Sequence, residues 1–421
     1  MTEFRTDRNF AVKMDREDRL ASYRKRFNLP KGPDSQDAVY FLGNSLGSQP
    51  KEAETILKEE MTDWADLGVA GHFKASRPWG EYTTFLTQKL AKIVGSNPEE
   101  IAIMNALTVN IHLMLVSFYR PTPLRHKVMM EAKAFPSDQY AVKSHIMFHG
   151  FDPETSLIEA SGPEGGSVVP MEAILDILER EGDTIALIYL GGVNYYTGQV
   201  FDMETITKAA QKKGCVVGYD LAHAVGNLVL KLHDWNVDFA AWCTYKYLNA
   251  GPGSVGGIFV HERHANRPDL PRFAGWWGHN KETRFQMGPD FDPIAGAEGW
   301  QISNPPVLST APLLASLDIF DEVGMDILRE KSIQLTGYLE FLLDQIDSNS
   351  FTIITPRNYG ERGAQLSIRI PNDAQEVQKK LHSSGARCDF REPDVIRVAP
   401  VPLYNSFEDV YRFVEIFAQL I

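Results

Sequence analysis

Short apolar runs alternate with longer amphipathic segments from about residue 100 onward. In five of these runs nearly every position is hydrophobic, rather than every second one, which is typical of strands buried on both faces. They cover residues 128–131, 184–190, 215–219, 239–244 and 255–260. Buried strands separated by helical segments predict an α/β domain with a mostly parallel mixed sheet, covered by helices on both faces.

The segments between these runs carry signals for helix starts and ends. Residues 170–180 begin with a proline, which is favourable in the first turn of a helix, and space their apolar residues with helical periodicity. Residues 203–213 have the same periodicity and precede Gly214, a residue type that commonly follows a helix end. Both segments are therefore predicted to be helices that cross over between strands.

The pattern changes after residue 266. Proline and glycine cluster over residues 267–306, which predicts a long loop region, and its three tryptophans favour a functional loop over a disordered linker. Residues 312–344 predict a long helix, and the elements that follow predict a smaller α+β lobe. These are apparent strands at 351–355, 365–370 and 395–398, with a helix near 373–383. We expect three parts: an N-terminal segment 1–50 that contributes to the small lobe and to the edge of the active site, a large domain 51–310 and a small domain 311–421.

Composition adds mainly exclusions. The 421 residues are 43% hydrophobic and 23% charged, as in ordinary globular proteins, and no run of eighteen apolar residues predicts a membrane span. The net charge of −13 argues against nucleic-acid or anionic-membrane partners. The three cysteines are odd in number, and two lie in apolar runs, so no disulfide framework is implied. With no secretory signal visible, we expect a cytoplasmic enzyme.

Two of the predicted strands end beside residues that can do chemistry together. One ends at Asp220, with His223 three residues further on, and another leads to Lys246. In a parallel sheet, ligands gather at the carboxyl ends of strands. A carboxylate there can keep a pyridine nitrogen protonated while a lysine amine forms a Schiff base, so the pair predicts pyridoxal 5'-phosphate as cofactor.

Three other motifs are interpreted as structural. Residues 43–47 match the G-x-S-x-G nucleophile elbow around Ser45, but forty residues cannot supply the strands that a serine hydrolase builds first. Residues 251–256 match G-x-G-x-x-G but lead into a strand instead of a helix. His145 and His149 have the spacing of a helical metal pair without an adjacent glutamate, so we expect a surface helix face and no metal.

Several uninterrupted motifs resemble kynureninases, from about residue 40 to the C-terminus. They lie at residues 43–47, 104–110, 135–138, 219–227, 232–238, 242–251, 302–306 and 398–407. The resemblance implies a fold-type-I pyridoxal phosphate enzyme of the class V aminotransferase-like family, with the cofactor in the large domain and active sites shared between the subunits of a homodimer. It also implies hydrolysis of kynurenine to anthranilate and alanine, or of 3-hydroxykynurenine to 3-hydroxyanthranilate and alanine, in tryptophan catabolism or NAD biosynthesis.

The resemblance also implies roles for individual residues around the cofactor. Lys246 would carry it, and Tyr245 would bind its phosphate and donate a proton. Asp220, with Asp138 beside it, would hold the ring nitrogen protonated. The other implied cofactor contacts are Leu107, Thr108, Phe135, Ser137 and His223, joined across the subunit boundary by Trp276 and Asn304. Some members have a serine where this chain has Gly191, so one phosphate contact would be missing.

A further set of residues would contact the substrate. Arg397 would clamp its α-carboxylate, and Ser45, His72 and Asn304 would lie around the rest of it. An imidazole and a carboxamide can hydrogen-bond a ring hydroxyl, so His72 and Asn304 favour 3-hydroxykynurenine as at least an equal substrate. The alternative is that His72 only hydrogen-bonds the backbone of its own turn.

Other functions stay open at this point. An aminotransferase or a cysteine desulfurase would share Asp220 and Lys246. A desulfurase would also need an exposed cysteine on a loop, whereas Cys215 and Cys243 lie in strand runs and Cys388 in the small lobe. A serine hydrolase using Ser45 and a purely structural or binding role are the remaining alternatives.

Overall fold

The computed structural model describes residues 3–163, 166–265, 267 and 269–421. The helices are α1 Arg8–Glu17, α2 Glu52–Leu67, α3 Gly71–Lys74, α4 Thr84–Val94, α5 Leu107–Phe118, α6 Pro136–Phe148, α7 Pro153–Ser156, α8 Met171–Glu181, α9 Met203–Lys212, α10 Val307–Val323, α11 Met325–Leu343, α12 Ala374–Ser383 and α13 Phe407–Ala418. The strands are β1 Phe27–Asn28, β2 Val39–Tyr40, β3 Gln49–Pro50, β4 Ile101–Ile103, β5 Lys127–Glu131, β6 Leu157–Ala160, β7 Ile185–Gly191, β8 Val216–Asp220, β9 Phe239–Trp242, β10 Gly257–Val260, β11 Thr352–Ile353, β12 Leu366–Arg369, β13 Ala386–Arg387, β14 Asp389–Arg391 and β15 Val395–Val398.

A seven-stranded sheet forms the centre of the molecule, in the order β4–β10–β9–β8–β7–β5–β6. Strands β9, β8, β7, β5 and β6 run parallel to one another, and β10 is antiparallel to both β9 and β4. In the register of the parallel strands, Asp220 lies between Gly191 and Ala241 at the carboxyl ends. The predicted mostly parallel sheet is confirmed.

Both faces of this sheet are covered, as the continuous hydrophobicity of its strands predicts. Along β7, Ile188 and Leu190 pack into one hydrophobic core, while Leu187 and Tyr189 pack into a second core on the other face. Successive side chains of a strand point to opposite faces, so each strand must be apolar at every position to serve both cores.

The predicted single helix over residues 312–344 is wrong. It is two helices, α10 and α11, which are separated at Gly324. Gly324 has φ +81°, in the left-handed region that favours glycine, and so it ends the first helix. The apolar periodicity continues across the break because both helices bury side chains in the interior.

A second, smaller sheet lies in the C-terminal part of the chain, in the antiparallel order β11–β12–β15–β14. N-terminal residues join its core: Phe10 and Phe41 pack in the same cluster as Phe413. Strand β2 also pairs in parallel with β13. Within the long helices, α10 packs into the large core and α11 joins the small one from Leu335 onward. The predicted boundaries at residues 50 and 310 stay a prediction.

Two further regions bear on the sequence predictions. Over residues 269–306 the loop contains short 3-10 turns, with Trp277 and Trp300 buried. His145 is buried in α6, with its Nε2 3.1 Å from Nδ1 of His112, so the predicted surface helix face is wrong. Helix α6 packs against α5, and the i, i+4 spacing of histidines alone could not show this.

Among the described residues, no helix is long and apolar enough to cross a membrane.

Candidate active site

Lys246 lies in a loop just after β9, at the edge of the central sheet. The Thr244 hydroxyl holds this loop, with its Oγ1 2.7 Å from Ser254 Oγ and 2.5 Å from the Val255 carbonyl oxygen. The segment 43–47 packs on the same loop, because the Gly47 amide donates to the Tyr245 carbonyl over 2.8 Å. A Cβ atom on Gly47 would lie 2.3 Å from the Lys246 carbonyl oxygen, so only glycine allows this approach.

The lysine amine contacts a buried imidazole. Lys246 Nζ lies 2.9 Å from His223 Nε2, and both side chains line a cavity of about 330 Å³. Burial lowers the pKa of His223 well below its usual range, and the charges of Lys246 and Arg397 lower it further. A neutral His223 can accept a hydrogen bond from the lysine ammonium at Nε2. Its Nδ1 has no hydrogen-bond partner among the described residues.

Two buried carboxylates, Asp138 and Asp220, lie in the same cavity. Asp220 accepts a hydrogen bond of 2.7 Å from the Ala222 amide. Burial raises the pKa of both carboxyls, and the pKa of Asp138 is raised further by the charge of Asp220. Asp138 Oδ1 has no hydrogen-bond partner among the described residues. A protonated ring nitrogen would supply both a donor and a positive charge to this pair, so the residues fit pyridoxal phosphate.

The starts of two helices give the cavity a place that can hold an anion. Helix α5 begins at Leu107, and α6 begins with Pro136, so the first turns of both helices face the cavity through Leu107, Thr108 and Ser137. Thr108 Oγ1 lies 2.8 Å from Ser137 Oγ, which joins the two helix starts. Free amides and hydroxyls at a helix N-terminus bind phosphate well.

Aromatic side chains form part of the cavity wall. The Phe135 ring centroid lies 6.0 Å from Lys246 Nζ and packs edge-on against Tyr195, with 5.2 Å between ring centroids. Tyr245 also lines the cavity, and burial raises the pKa of its hydroxyl. The Tyr245 hydroxyl is therefore a neutral phenol at ordinary pH and can donate a hydrogen bond.

Two guanidinium groups, not one, face the cavity. Arg397 is buried: its Nε donates to Asp389 Oδ1 over 2.7 Å, its Nη1 to the Tyr195 carbonyl over 2.7 Å, and its Nη2 contacts Asp389 Oδ2. Arg391 also lines the cavity, and burial and the charge of Arg397 lower its pKa. Sequence reasoning missed Arg391 and Asp389, because only the strand register, which pairs Asp389 with Arg397, brings them to the site.

Glu131 is another cavity residue that sequence reasoning missed. It ends β5, is buried, and accepts a hydrogen bond of 3.2 Å from the Gly191 amide. Burial raises its pKa to about 7. A Cβ atom at Gly191 would lie 3.0 Å from Glu131 Oε1. The Glu131 carboxyl therefore occupies space that a serine side chain at position 191 would need. Its place at a strand end was the available sequence signal.

Of the predicted site residues, three lie outside the lysine cavity. His72 and Asn304 line a separate cavity of about 270 Å³ that shares no lining residue with the first. His72 Nδ1 lies 3.1 Å from the Val69 carbonyl oxygen, the backbone contact that the alternative interpretation describes. Trp276 is partly exposed, and its Nε1 donates to the Arg284 carbonyl over 3.1 Å. The other predicted residues lie together in the lysine cavity: Ser45, Leu107, Thr108, Phe135, Ser137, Asp138, Asp220, His223, Tyr245, Lys246 and Arg397.

Solved structures define the class of protein to which this fold belongs. The chain is similar to a mutant of C-DES with glycine covalently linked to its pyridoxal phosphate cofactor, with a TM-score of 0.78 over 94% of this chain and 98% of that one. It is also similar to the cysteine desulfurase of Thermococcus onnurineus NA1, with a TM-score of 0.77 over 100% and 99% of the two chains. The identities are 18% and 16%, so these likenesses show the fold alone, that of the fold-type-I pyridoxal phosphate enzymes.

Sequence relatives define the family within this class. A family model for the kynureninase C-terminal domain matches residues 328–417. The kynureninase of Koribacter versatilis is 58% identical over 414 residues, 98% of either chain, and that of Mus musculus is 49% identical over 435 residues, 99% of this chain and 94% of its own. The chain belongs to the kynureninase family, pyridoxal-phosphate-dependent hydrolases that act on carbon–carbon bonds.

These comparisons confirm the predicted family, enzyme class and cofactor. The aminotransferase and desulfurase alternatives have less support, and all three cysteines are buried and free. The geometry gives no support to the serine-hydrolase alternative, because residues 43–47 lead into β3 and not directly into a helix.

Proposed function

We propose that the cavity around Lys246 is where this chain hydrolyses the Cβ–Cγ bond of kynurenine or 3-hydroxykynurenine, releasing alanine and the corresponding anthranilate. The contact between Lys246 and the neutral His223, beside two buried carboxylates, carries this proposal. When bound, pyridoxal phosphate supplies an electron-withdrawing ring that accepts the electrons released as substrate bonds break.

Asp220 and Asp138 act at the ring-nitrogen end of the cavity. As two acids with raised pKa values, they need a positive partner to ionise, and a protonated nitrogen is such a partner. Leu107, Thr108 and Ser137 act at the phosphate end, where helix amides and hydroxyls satisfy anionic oxygens. Together these groups can bind the positive ring nitrogen and the anionic phosphate of one cofactor.

Lys246 is the proposed base at the substrate Cα. Its amine can take this proton only when it is neutral, and the adjacent neutral His223 can accept the hydrogen bond that an ammonium then donates. Tyr245, a neutral phenol, is the proposed proton donor on the other side of the reacting carbon chain. Both groups line the same cavity, so they can act on one bound substrate.

Arg397 and Arg391 are the proposed site for the substrate α-carboxylate. Asp389 engages Arg397 through two of its nitrogens and so fixes the plane of the guanidinium. The terminal nitrogens of Arg397 keep hydrogen atoms available for the substrate carboxylate. With Arg391, two guanidinium groups balance two carboxylates, that of Asp389 and that of the substrate. Ser45, which also lines the cavity, is a further proposed contact to the substrate.

We further propose a homodimer in which His72, Trp276 and Asn304 complete the lysine site of the partner subunit. These residues lie outside the lysine cavity of their own chain, next to exposed apolar side chains that include Trp64, Phe73 and Phe285. The Phe285 ring packs against Phe73 and Trp276, with centroids 6.1 and 5.5 Å apart, so the exposed surface is continuous. A contiguous apolar surface of this kind is typical of an interface.

The wider context follows from the same proposal. A small amino acid is the expected partner, and the net charge of −13 disfavours nucleic acid and anionic membranes. We propose a cytoplasmic enzyme of tryptophan catabolism, or of NAD biosynthesis if the hydroxylated product is used further.

Spectroscopy and activity together test this function. Purified protein should absorb as a yellow cofactor adduct, and borohydride should attach the cofactor irreversibly to Lys246, as a peptide mass map will show. Asp220→Ala should keep this attachment but lose turnover of kynurenine, since the ring nitrogen is no longer held protonated. Normal turnover by Asp220→Ala, or borohydride attachment at another lysine, would contradict the assigned roles.

A further inference from the structure

A buried glutamate lies behind the second cavity. Glu60, on α2, is fully buried, and its carboxylate accepts three side-chain hydrogen bonds. Arg77 Nε donates over 2.7 Å, Trp79 Nε1 over 3.0 Å and the Tyr82 hydroxyl over 3.0 Å. Three donors to one buried carboxylate fix the positions of the side chains that donate them.

The Trp79 side chain contacts both Glu60 and the turn that carries His72. Its ring lies against Gly71 so closely that a Cβ atom there would be 2.5 Å from the ring. The His72 ring packs edge-on against Trp79, with 5.4 Å between centroids and 79° between planes. The hydrogen bond from the His72 ring to the Val69 carbonyl fixes the other side of the imidazole. The position of His72 therefore depends on Trp79, and that of Trp79 on Glu60.

The cavity itself has the composition expected for an aromatic ring. Its walls include Trp64, Pro305, Val307 and Leu308, and its polar side chains are Glu60, His72 and Asn304. The Glu60 carboxylate is already satisfied by its three donors. His72 Nε2 and the Asn304 carboxamide, which have no hydrogen-bond partner among the described residues, can therefore distinguish one ring from another.

We propose that Glu60 is a positioning residue for substrate selection. By holding Trp79, it sets the place of His72 and so the preference between a hydroxylated and an unsubstituted aromatic ring. This inference rests on the proposed function, in which this cavity completes the partner's lysine site. Glu60 also lines this cavity, but three donors already occupy its carboxylate, so it acts through Trp79.

Two variants and a matched control test this role in the dimeric holoenzyme. Glu60→Gln keeps the shape of the side chain but removes its charge, and Trp79→Phe keeps an aromatic ring but removes the donor to Glu60. Tyr82→Phe is the control, because it removes another donor to the same carboxylate without touching Trp79. For each, kcat/KM is measured for both substrates, with the melting temperature and the cofactor absorption spectrum.

We expect Glu60→Gln and Trp79→Phe to lower the ratio of kcat/KM for 3-hydroxykynurenine over kynurenine by about 10-fold, the size of one lost polar contact. The cofactor spectrum should stay that of the wild type. Tyr82→Phe should lower the melting temperature but leave the ratio unchanged.

The outcomes separate the two proposals. If His72→Ala changes the ratio while Glu60→Gln and Trp79→Phe do not, the role of Glu60 is wrong and the ring site stands. If Tyr82→Phe shifts the ratio as much as the other two, Glu60 serves folding alone. If His72→Ala leaves the ratio unchanged, or if the wild type cleaves neither substrate, the proposed ring site itself fails.

Discussion

Single residues in the lysine cavity differ in how their charge is balanced. Asp389 is engaged by two guanidinium groups, and Asp220 has the Ala222 amide and the Lys246 charge nearby. Glu131 accepts hydrogen bonds from backbone amides, that of Gly191 at 3.2 Å among them, and forms no ion pair with any described residue. The pKa of Glu131 therefore reflects its burial most directly, which makes it a suitable residue for a pH experiment.

Glu131→Gln should change how stability depends on pH. Its pKa is raised in the folded protein to about 7, so the folded state holds this proton more tightly than the unfolded chain does. The resulting stabilisation is present below the unfolded pKa of about 4.3 and is lost as pH rises through about 7. Relative to Glu131→Gln, the wild type should lose up to about 3 kcal/mol of unfolding free energy over that interval.

Urea denaturation of the wild type and Glu131→Gln measures this difference. Both proteins are kept at one fixed protein concentration and compared between about pH 5 and about pH 8. Glu159→Gln is the matched control, because Glu159 is an exposed glutamate on the neighbouring strand β6. Parallel pH curves for the wild type and Glu131→Gln would show that the carboxyl is not buried as described.

At the scale of elements, the lysine loop is fixed by a close approach between two backbone segments. The segment 43–47 enters the large domain from the strand β2, which pairs with β13 of the small lobe. Its Gly47 amide binds the Tyr245 carbonyl. The contact therefore ties the position of the lysine loop to both lobes.

Gly47→Ala should displace the lysine loop. A Cβ atom would lie 2.3 Å from both the Lys246 carbonyl oxygen and Asn249 Oδ1. The Lys246 backbone would have to move to relieve this overlap, which costs stability. We expect a loss of about 1–3 kcal/mol in stability and weaker binding of pyridoxal phosphate, measured by thermal melting and by fluorescence titration of the apoenzyme. Gly288→Ala, where a Cβ atom meets nothing within 4 Å, is the control. Unchanged cofactor affinity in Gly47→Ala would contradict this account.

How much of these elements the sequence predicts depends on the interaction that stabilises each. The strands that carry Asp220 and Lys246 are apolar throughout, so periodicity alone predicts them. The break at Gly324 was missed because the apolar pattern continues through it. Strand β14 is short and only partly buried, and tertiary pairing with β15 brings Asp389 to the site. Local signals therefore predict the lysine and its acid, and they do not predict the second arginine.

At the scale of the whole molecule, all predicted site residues except Trp276 divide between two cavities of one chain. The lysine cavity holds the groups that act on the cofactor and on the substrate carboxylate, and the second cavity holds His72 and Asn304. One substrate has both a carboxylate end and an aromatic end. The proposed dimer would bring both sets to the same substrate molecule, one set from each chain.

Mixed dimers provide the sharpest test of this arrangement. Lys246→Ala and Asn304→Ala should each show little activity alone, since one lacks the lysine and the other lacks a group of the ring cavity. In a heterodimer, one site combines the intact lysine cavity of one chain with the intact ring cavity of the other. Exchange of tagged subunits should therefore restore up to about a quarter of wild-type activity, because random mixing makes half of all dimers mixed and each has one intact site.

The control is a mixture of Lys246→Ala with Asp220→Ala, two variants altered in the same cavity. No pairing of these subunits forms an intact site if Lys246 and Asp220 both serve the lysine cavity of their own chain. This mixture should stay inactive after the same exchange, which pull-down of the second tag verifies. Activity restored in both mixtures would point to contamination, and no activity in the first, despite verified exchange, would mean that Asn304 serves its own subunit.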